Sequence, residues 1–249
     1  GREIKTDFKG TLYPQQADAA TKILEHDTGV LCAATAFGKT AVGAYLIAQR
    51  KVNTLVLVHN SEIMKNWVED FEKFLQIDED LPEYITPKGR RKKRKSVIGT
   101  LSGGRNTLGG ILDVAMITSL GQSDDVNPLI KNYGMVIMDE CHHAGAAIAE
   151  DVLNAVNAKY VYGLTATPKR DDGQEQKIFM QLGPIRYRYT AKDRAAAQKF
   201  ARLPEKGAHG TCRGAACLGA DGCGWVSCRP VAGVFRPVRP VTATATRTC

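Results

Sequence analysis

Two short stretches carry side chains whose types and spacing point to chemistry. The first is Gly38-Lys39-Thr40, set between an apolar β-rich run at 29–33 and a helix-patterned segment at 40–50. Backbone N–H groups at a helix start face bound anions, and the helix dipole favours their charge. In a phosphate loop of this kind the lysine, here Lys39, reaches the β- and γ-phosphates of a nucleotide. The hydroxyl, here Thr40, holds Mg²⁺. The full pattern has Gly five residues before Gly38, where this chain has Ala33. An ordinary strand–Gly–helix turn is the plainer alternative.

The second stretch is Asp139-Glu140-Cys141-His142-His143, in which every side chain can bind a metal. A zinc site wants four ligands converging tetrahedrally, commonly as spaced pairs. Consecutive residues leaving a strand fan outward instead. Mg²⁺ needs only one or two carboxylates, with water and nucleotide phosphates completing its shell. On that reading Asp139 binds the metal, directly or through water. Glu140 orients or deprotonates the attacking water.

Both stretches need a scaffold that brings them to one edge. The runs at 29–33, 54–59, 114–118, 135–139 and 160–165 are near-continuous and apolar, as parallel strands buried on both faces require. Helical spacing fills the intervals at 14–26, 40–50, 61–75 and 147–158, with Ser61 as the expected N-cap of the third. Strand–helix alternation implies an α/β fold with a doubly wound, mostly parallel sheet and helices on both faces. Ligands of such sheets bind outside the carboxyl ends of the strands. Residues 77–110 break the alternation and read as a long surface excursion with a short hairpin inside.

The net charge is +8 and the sequence pI about 9.1, which favours anionic partners and nucleic acid first; a solvated basic surface is the alternative. Six consecutive cations, at 90–95, concentrate that charge and suit a phosphate contact. No apolar run approaches the roughly 18 residues of a membrane span. Only Cys32 and Cys141 precede residue 200, so the body reads as a reduced, cytoplasmic chain. Residues 203–249 hold five cysteines, seven glycines and four prolines, with no sustained pattern. The segment 194–249 therefore reads as disordered or frame-shifted rather than as a folded domain. A four-thiolate zinc site at Cys212, Cys217, Cys223 and Cys228 is the competing reading, although the tight C-x₂-C spacing is missing.

In this order the motifs resemble those of superfamily 2 helicases of the DExH form, across about residues 10–193. Gly38-Lys39-Thr40 resembles motif I and Asp139-Glu140-Cys141-His142 motif II. Thr165-Ala166-Thr167 is similar to motif III. The segment "LYPQQADAA" resembles the one upstream of motif I, where Gln16 matches the glutamine that reads adenine. "TLVLVHN" and the helix after it resemble motif Ia, and "MITSL" a later strand-contacting motif, Ic. The excision-repair-helicase and restriction-translocase branch is the most similar, with helicase modules of conflict systems inside it.

The resemblance implies a RecA-like P-loop NTPase domain over residues 1–193. It implies ATP and Mg²⁺ as ligands, with Thr35, Ala36, Phe37, Gly38, Lys39 and Thr40 cradling the nucleotide. His59, Asn60, Thr118 and Ser119 would contact nucleic acid, DNA before RNA, mainly through its backbone. His142 would couple the nucleotide to motif III. Ala36 stands where the superfamily usually has Gly, Phe37 is bulky, and Asn60 replaces an Arg common in the branch. The family's second RecA-like domain, with its arginine finger, has no counterpart after residue 200. The expectation is a motor half that binds nucleotide but hydrolyses it poorly alone and does not unwind a duplex. Two other functions compete: a non-enzymatic nucleic-acid-binding module with a vestigial nucleotide site, and a zinc hydrolase built on residues 139–143.

Overall fold

The computed structural model describes residues 1–85, 90–120, 128–143, 147–166 and 175–195. Thr167 and nearly all of the cysteine-rich tail lie outside the described residues. The chain begins with β1 (Thr6–Phe8), α1 (Pro14–Leu24), β2 (Thr28–Ala33), α2 (Lys39–Arg50), β3 (Thr54–Val58) and α3 (Ser61–Phe74). It continues through β4 (Leu75–Ile77), β5 (Glu83–Ile85), β6 (Arg91–Lys93), β7 (Ile98–Ser102), β8 (Arg105–Asn106), β9 (Leu112–Met116) and α4 (Ile117–Leu120). It closes with β10 (Met135–Asp139), α5 (Ala147–Ala155), β11 (Tyr160–Thr165), α6 (Glu175–Leu182) and β12 (Ile185–Tyr189).

Eight strands form the central sheet in the order β12-β2-β11-β10-β3-β9-β7-β8. All neighbours are parallel except the β7–β8 hairpin at one edge. Alternate residues of the inner strands serve two cores. Leu31, Val56, Ile137 and Leu164 face the cluster built with α1, α2 and α3. Val30, Leu55, Leu57, Val136 and Met138 face the one built with α4, α5 and α6. This is the two-faced burial that makes parallel strands read as unbroken apolar runs.

The elements differ from the sequence expectations in four places. The run at 114–118 is not one strand: β9 ends at Met116, and Thr118 and Ser119 lie on the short α4. Asn60, not Ser61, caps α3; its Oδ1 accepts from the Ile63 N–H at 2.8 Å. The excursion at 77–110 contains the expected hairpin, β5–β6, and also β7, which extends the main sheet beside β9. β7, next to the two-residue edge strand β8, alternates buried and half-buried residues, so its period-2 signal over five residues is weak. Finally β12, "IRYRY", pairs with β2 despite two arginines, because an edge strand leaves one flank exposed.

Candidate functional site

Parallel pairing sets three neighbouring strand ends side by side. β2 ends at Ala33, β11 at Thr165 and β10 at Asp139, and β11 lies between the other two. The loop after β2 enters α2 through Gly38, whose φ is +85°. A Cβ at Gly38 would lie 2.4 Å from Gln16 Nε2, so a larger residue would push that amide aside as well as strain the positive φ. Gly38 offers no side-chain cap, which leaves the first N–H groups of α2 to an anion. Ala36 holds φ +62°, which explains why the position favours Gly and costs Ala roughly 1 kcal/mol. The bulk of Phe37 is taken up elsewhere. Its ring is buried and packs on Tyr189 at 4.9 Å and Tyr187 at 6.4 Å, both on β12. Its carbonyl accepts from Gln16 Nε2 at 2.8 Å. Gln16 Oε1 in turn accepts from Tyr13 N–H at 2.9 Å. The glutamine thus ties the start of α1 to the phosphate loop, and each amide atom keeps one further hydrogen-bonding position. The carbonyl of Thr35, an exposed residue, accepts from the Arg194 guanidinium at 3.1 Å.

Lys39 lies between the Ala33 carbonyl, 3.5 Å from Nζ, and Glu140 Oε1, at 3.6 Å. Glu140 has φ +46°, a left-handed conformation that is uncommon for a glutamate and turns the chain as it leaves β10. Its other oxygen lies 3.3 Å from His142 Nδ1, which is also 3.3 Å from the Thr165 hydroxyl. Lys39, Glu140, His142 and Thr165 therefore form one connected polar array across the three strand ends. Cys141 is fully buried against Gly163, where an added Cβ would meet its Sγ at 2.9 Å. Burial pushes that thiol's pKa up, so it stays protonated and serves packing.

Asp139 is buried, with Oδ2 accepting from Trp67 Nε1 at 2.8 Å and Oδ1 from the Glu140 N–H at 2.9 Å. Burial raises the pKa of its carboxyl, and the Trp67 hydrogen bond works against that rise. One helical turn along α3, burial raises the pKa of the Asp70 carboxyl, and the nearby Thr40 side chain works against that rise. α3 thus fixes Asp139 through Trp67 and places Asp70, three residues on, close to Thr40. Asp139 and Thr40 carry hard oxygen donors, the type that magnesium takes. Among the described residues no group of three or more His, Cys, Asp and Glu side chains gathers to hold a metal ion. That gives no support to zinc at residues 139–143, where the His143 side chain lies outside the described residues.

Four further predicted residues sit toward the other half of the sheet. His59 and Asn60 follow β3, with Asn60 Nδ2 3.3 Å from His59 Nε2. Asn60 therefore has a structural duty as the α3 cap that the sequence reading did not assign. Thr118 is exposed on α4, and the Ser119 hydroxyl accepts from the Gly103 N–H at 3.1 Å. Ala166 directly follows β11, and its carbonyl lies 3.9 Å from Cys32 Sγ. Trp67 and Asp70 were missed as site residues. Within "NWVEDFEKF" they look like part of an ordinary amphipathic helix, and their partners are far away in sequence.

Residues 9–170 match the model of the family described as "Type III restriction enzyme, res subunit". The DNA 3'-5' translocase XPB2 of Sulfurisphaera tokodaii is 27% identical over 184 residues, covering 74% of this chain and 37% of that protein. The DNA 3'-5' helicase XPB of Kineococcus radiotolerans is 28% identical over 187 residues, covering 73% and 30%. The chain spans about a third of the length of these curated relatives. Two solved structures share the fold. The UvsW helicase of bacteriophage T4 superposes with a TM-score of 0.54 at 18% identity, over 74% of this chain and 36% of that one. The Sulfolobus solfataricus SWI2/SNF2 ATPase core in complex with dsDNA gives 0.53 at 16%, over 71% and 37%. The sheet order, the strand-end array and the family match agree: the chain belongs to the type III restriction enzyme res-subunit family and carries the N-terminal RecA-like domain of a superfamily 2 helicase or translocase.

Proposed function

We propose that residues 1–193 are the ATP-binding motor half of a DNA helicase or translocase that couples Mg²⁺–ATP hydrolysis to movement along nucleic acid. The observation that carries this reading is the array of Lys39, Glu140, His142 and Thr165 across three adjacent strand ends. A vestigial nucleotide site would have no reason to keep both the array and the strained Glu140 turn.

Each residue then has a task. The α2 N–H groups and Lys39 bind the β- and γ-phosphates, and Gln16 reads adenine with its spare donor and acceptor. Thr40 and Asp139 would hold Mg²⁺, which neutralises phosphate charge when bound. Glu140 accepts a proton from the attacking water. His142, Thr165, Ala166 and Thr167 carry the state of the nucleotide to the nucleic-acid edge and to a second domain. His59, Asn60, Thr118 and Ser119 meet the backbone of the strand, so binding is salt-sensitive and tolerant of sequence.

A second RecA-like domain belongs to the full motor, consistent with relatives about three times longer than the matched region. Among the described residues the arginine hydrogen-bonded to the loop is Arg194, and it is spent on the Thr35 carbonyl. An arginine directed at the γ-phosphate is worth about 10³–10⁵ in rate, so turnover should rise steeply when a second domain supplies one.

Trp67 gives the magnesium part of the reading its test. Trp67→Phe keeps most of the packed ring and removes the N–H that fixes Asp139. A lost orienting partner costs about 10- to 100-fold in metal affinity or activity. The Mg²⁺ concentration for half-maximal nucleotide binding should rise about 10-fold or more, with the fold intact by circular dichroism. Nucleotide binding that ignores both EDTA and the substitution would remove Asp139 as the metal's holder.

A further inference from the structure

The basic run absorbed by none of these motifs lines a groove of its own. β5 and β6 pair antiparallel, and β7 and β8 form the hairpin that closes one edge of the main sheet. Between them lies a groove of about 470 Å³, lined by Tyr84, Lys92, Lys93, Arg94, Lys95 and Arg105 among others. It contains five cations and no carboxylate. Lys92, Lys93, Lys95 and Arg105 are exposed, and among the described residues none of the five forms an ion pair. Like charges held this close repel one another, so the arrangement destabilises the free protein unless an anion shares it.

The hairpin beside the groove also reaches α4. The turn between β7 and β8 donates from Gly103 N–H to the Ser119 hydroxyl at 3.1 Å. The same hairpin contributes Thr100 and Arg105 to the groove, so it bridges the groove and the motif proposed to touch the strand. Its chemistry selects phosphates over bases. Tyr84 is the aromatic residue lining it, and the Arg94 guanidinium lies over that ring at 4.7 Å from the centroid. A stacking platform for unpaired bases needs an open aromatic face.

We infer that this groove is an accessory site for the phosphate backbone of duplex DNA, extending the track that passes Ser119. The inference rests on the nucleic-acid reading above. Duplex is favoured over single strand because it presents the denser line of phosphates and requires no base stacking.

The test uses the full chain, with duplex and single-stranded DNA titrated over a range of salt. The variant Lys92→Ala/Lys93→Ala/Lys95→Ala should bind duplex about 10-fold or more weakly, and its log–log salt slope should be shallower by about 2 to 3. Single-strand affinity should fall less. The charge-keeping variant Lys92→Arg/Lys93→Arg/Lys95→Arg should retain the wild-type slope, and ATP affinity should be the same in all three proteins. An unchanged duplex slope in the alanine variant, with wild type binding DNA normally, overturns the groove but leaves the strand-contact reading intact. An equal or larger loss on single strands overturns the duplex assignment. Failure of the wild type to bind any DNA overturns both readings.

Discussion

Lys39→Ala should weaken ATP binding by about 10²-fold, the cost of losing a charge-assisted contact to phosphate at a helix N-terminus. Lys39 is anchored on one side by the Ala33 carbonyl and on the other by Glu140, so its ammonium is held at the mouth of the α2 N-terminus. Alanine keeps the helix, because the turn depends on Gly38 and not on the lysine. Isothermal titration or a fluorescent nucleotide reads the loss directly. An affinity unchanged within a few-fold would mean that the phosphates bind elsewhere.

Glu140→Gln is expected to separate binding from chemistry. A positioned general base contributes about 10²–10⁴ in rate. Glutamine fills the same space and cannot take the proton, so single-turnover hydrolysis of γ-labelled ATP should slow by that factor. Binding should hold or tighten. The carboxylate now competes with phosphate for Lys39, at 3.6 Å, and the amide would not. His142 loses its charged neighbour at the same time, and its Thr165 contact remains. Slow turnover with weakened binding would instead make Glu140 a structural brace for the loop.

The sequence made the centre of this molecule legible and left its periphery obscure, for one physical reason. Strands buried on both faces must be apolar throughout, so β2, β3, β10 and β11 announce themselves as short hydrophobic runs. Their carboxyl ends then fix where Lys39, Asp139, Glu140 and Thr165 must meet. Strands at the sheet's edges, or next to them, carry less of this constraint. β12 uses tyrosines and arginines, and β7 carries Gly99 and two hydroxyl residues, so neither stands out from a loop. Site residues that act through space were equally hidden. Trp67 reaches Asp139 across 72 positions, a pairing that helical periodicity cannot encode. Asn60 carries a second duty of the same hidden kind: inside a stretch that resembles a strand-contact motif, its side-chain oxygen caps α3. Phe37 looked like an obstacle in the phosphate loop until β12, itself unforeseen, supplied the tyrosines against which it packs.

Coupling of nucleotide to nucleic acid through this one domain is what the proposed motor requires. It is tested most directly by measuring DNA affinity of the full chain with and without saturating Mg²⁺ and a non-hydrolysable ATP analogue. A coupled motor half should change its DNA affinity by about 5-fold or more, and ATP-analogue affinity should change by the same factor when DNA is present. DNA binding that is indifferent to the nucleotide, in a protein that binds both, would contradict the account and identify a nucleic-acid-binding module whose nucleotide site no longer drives anything.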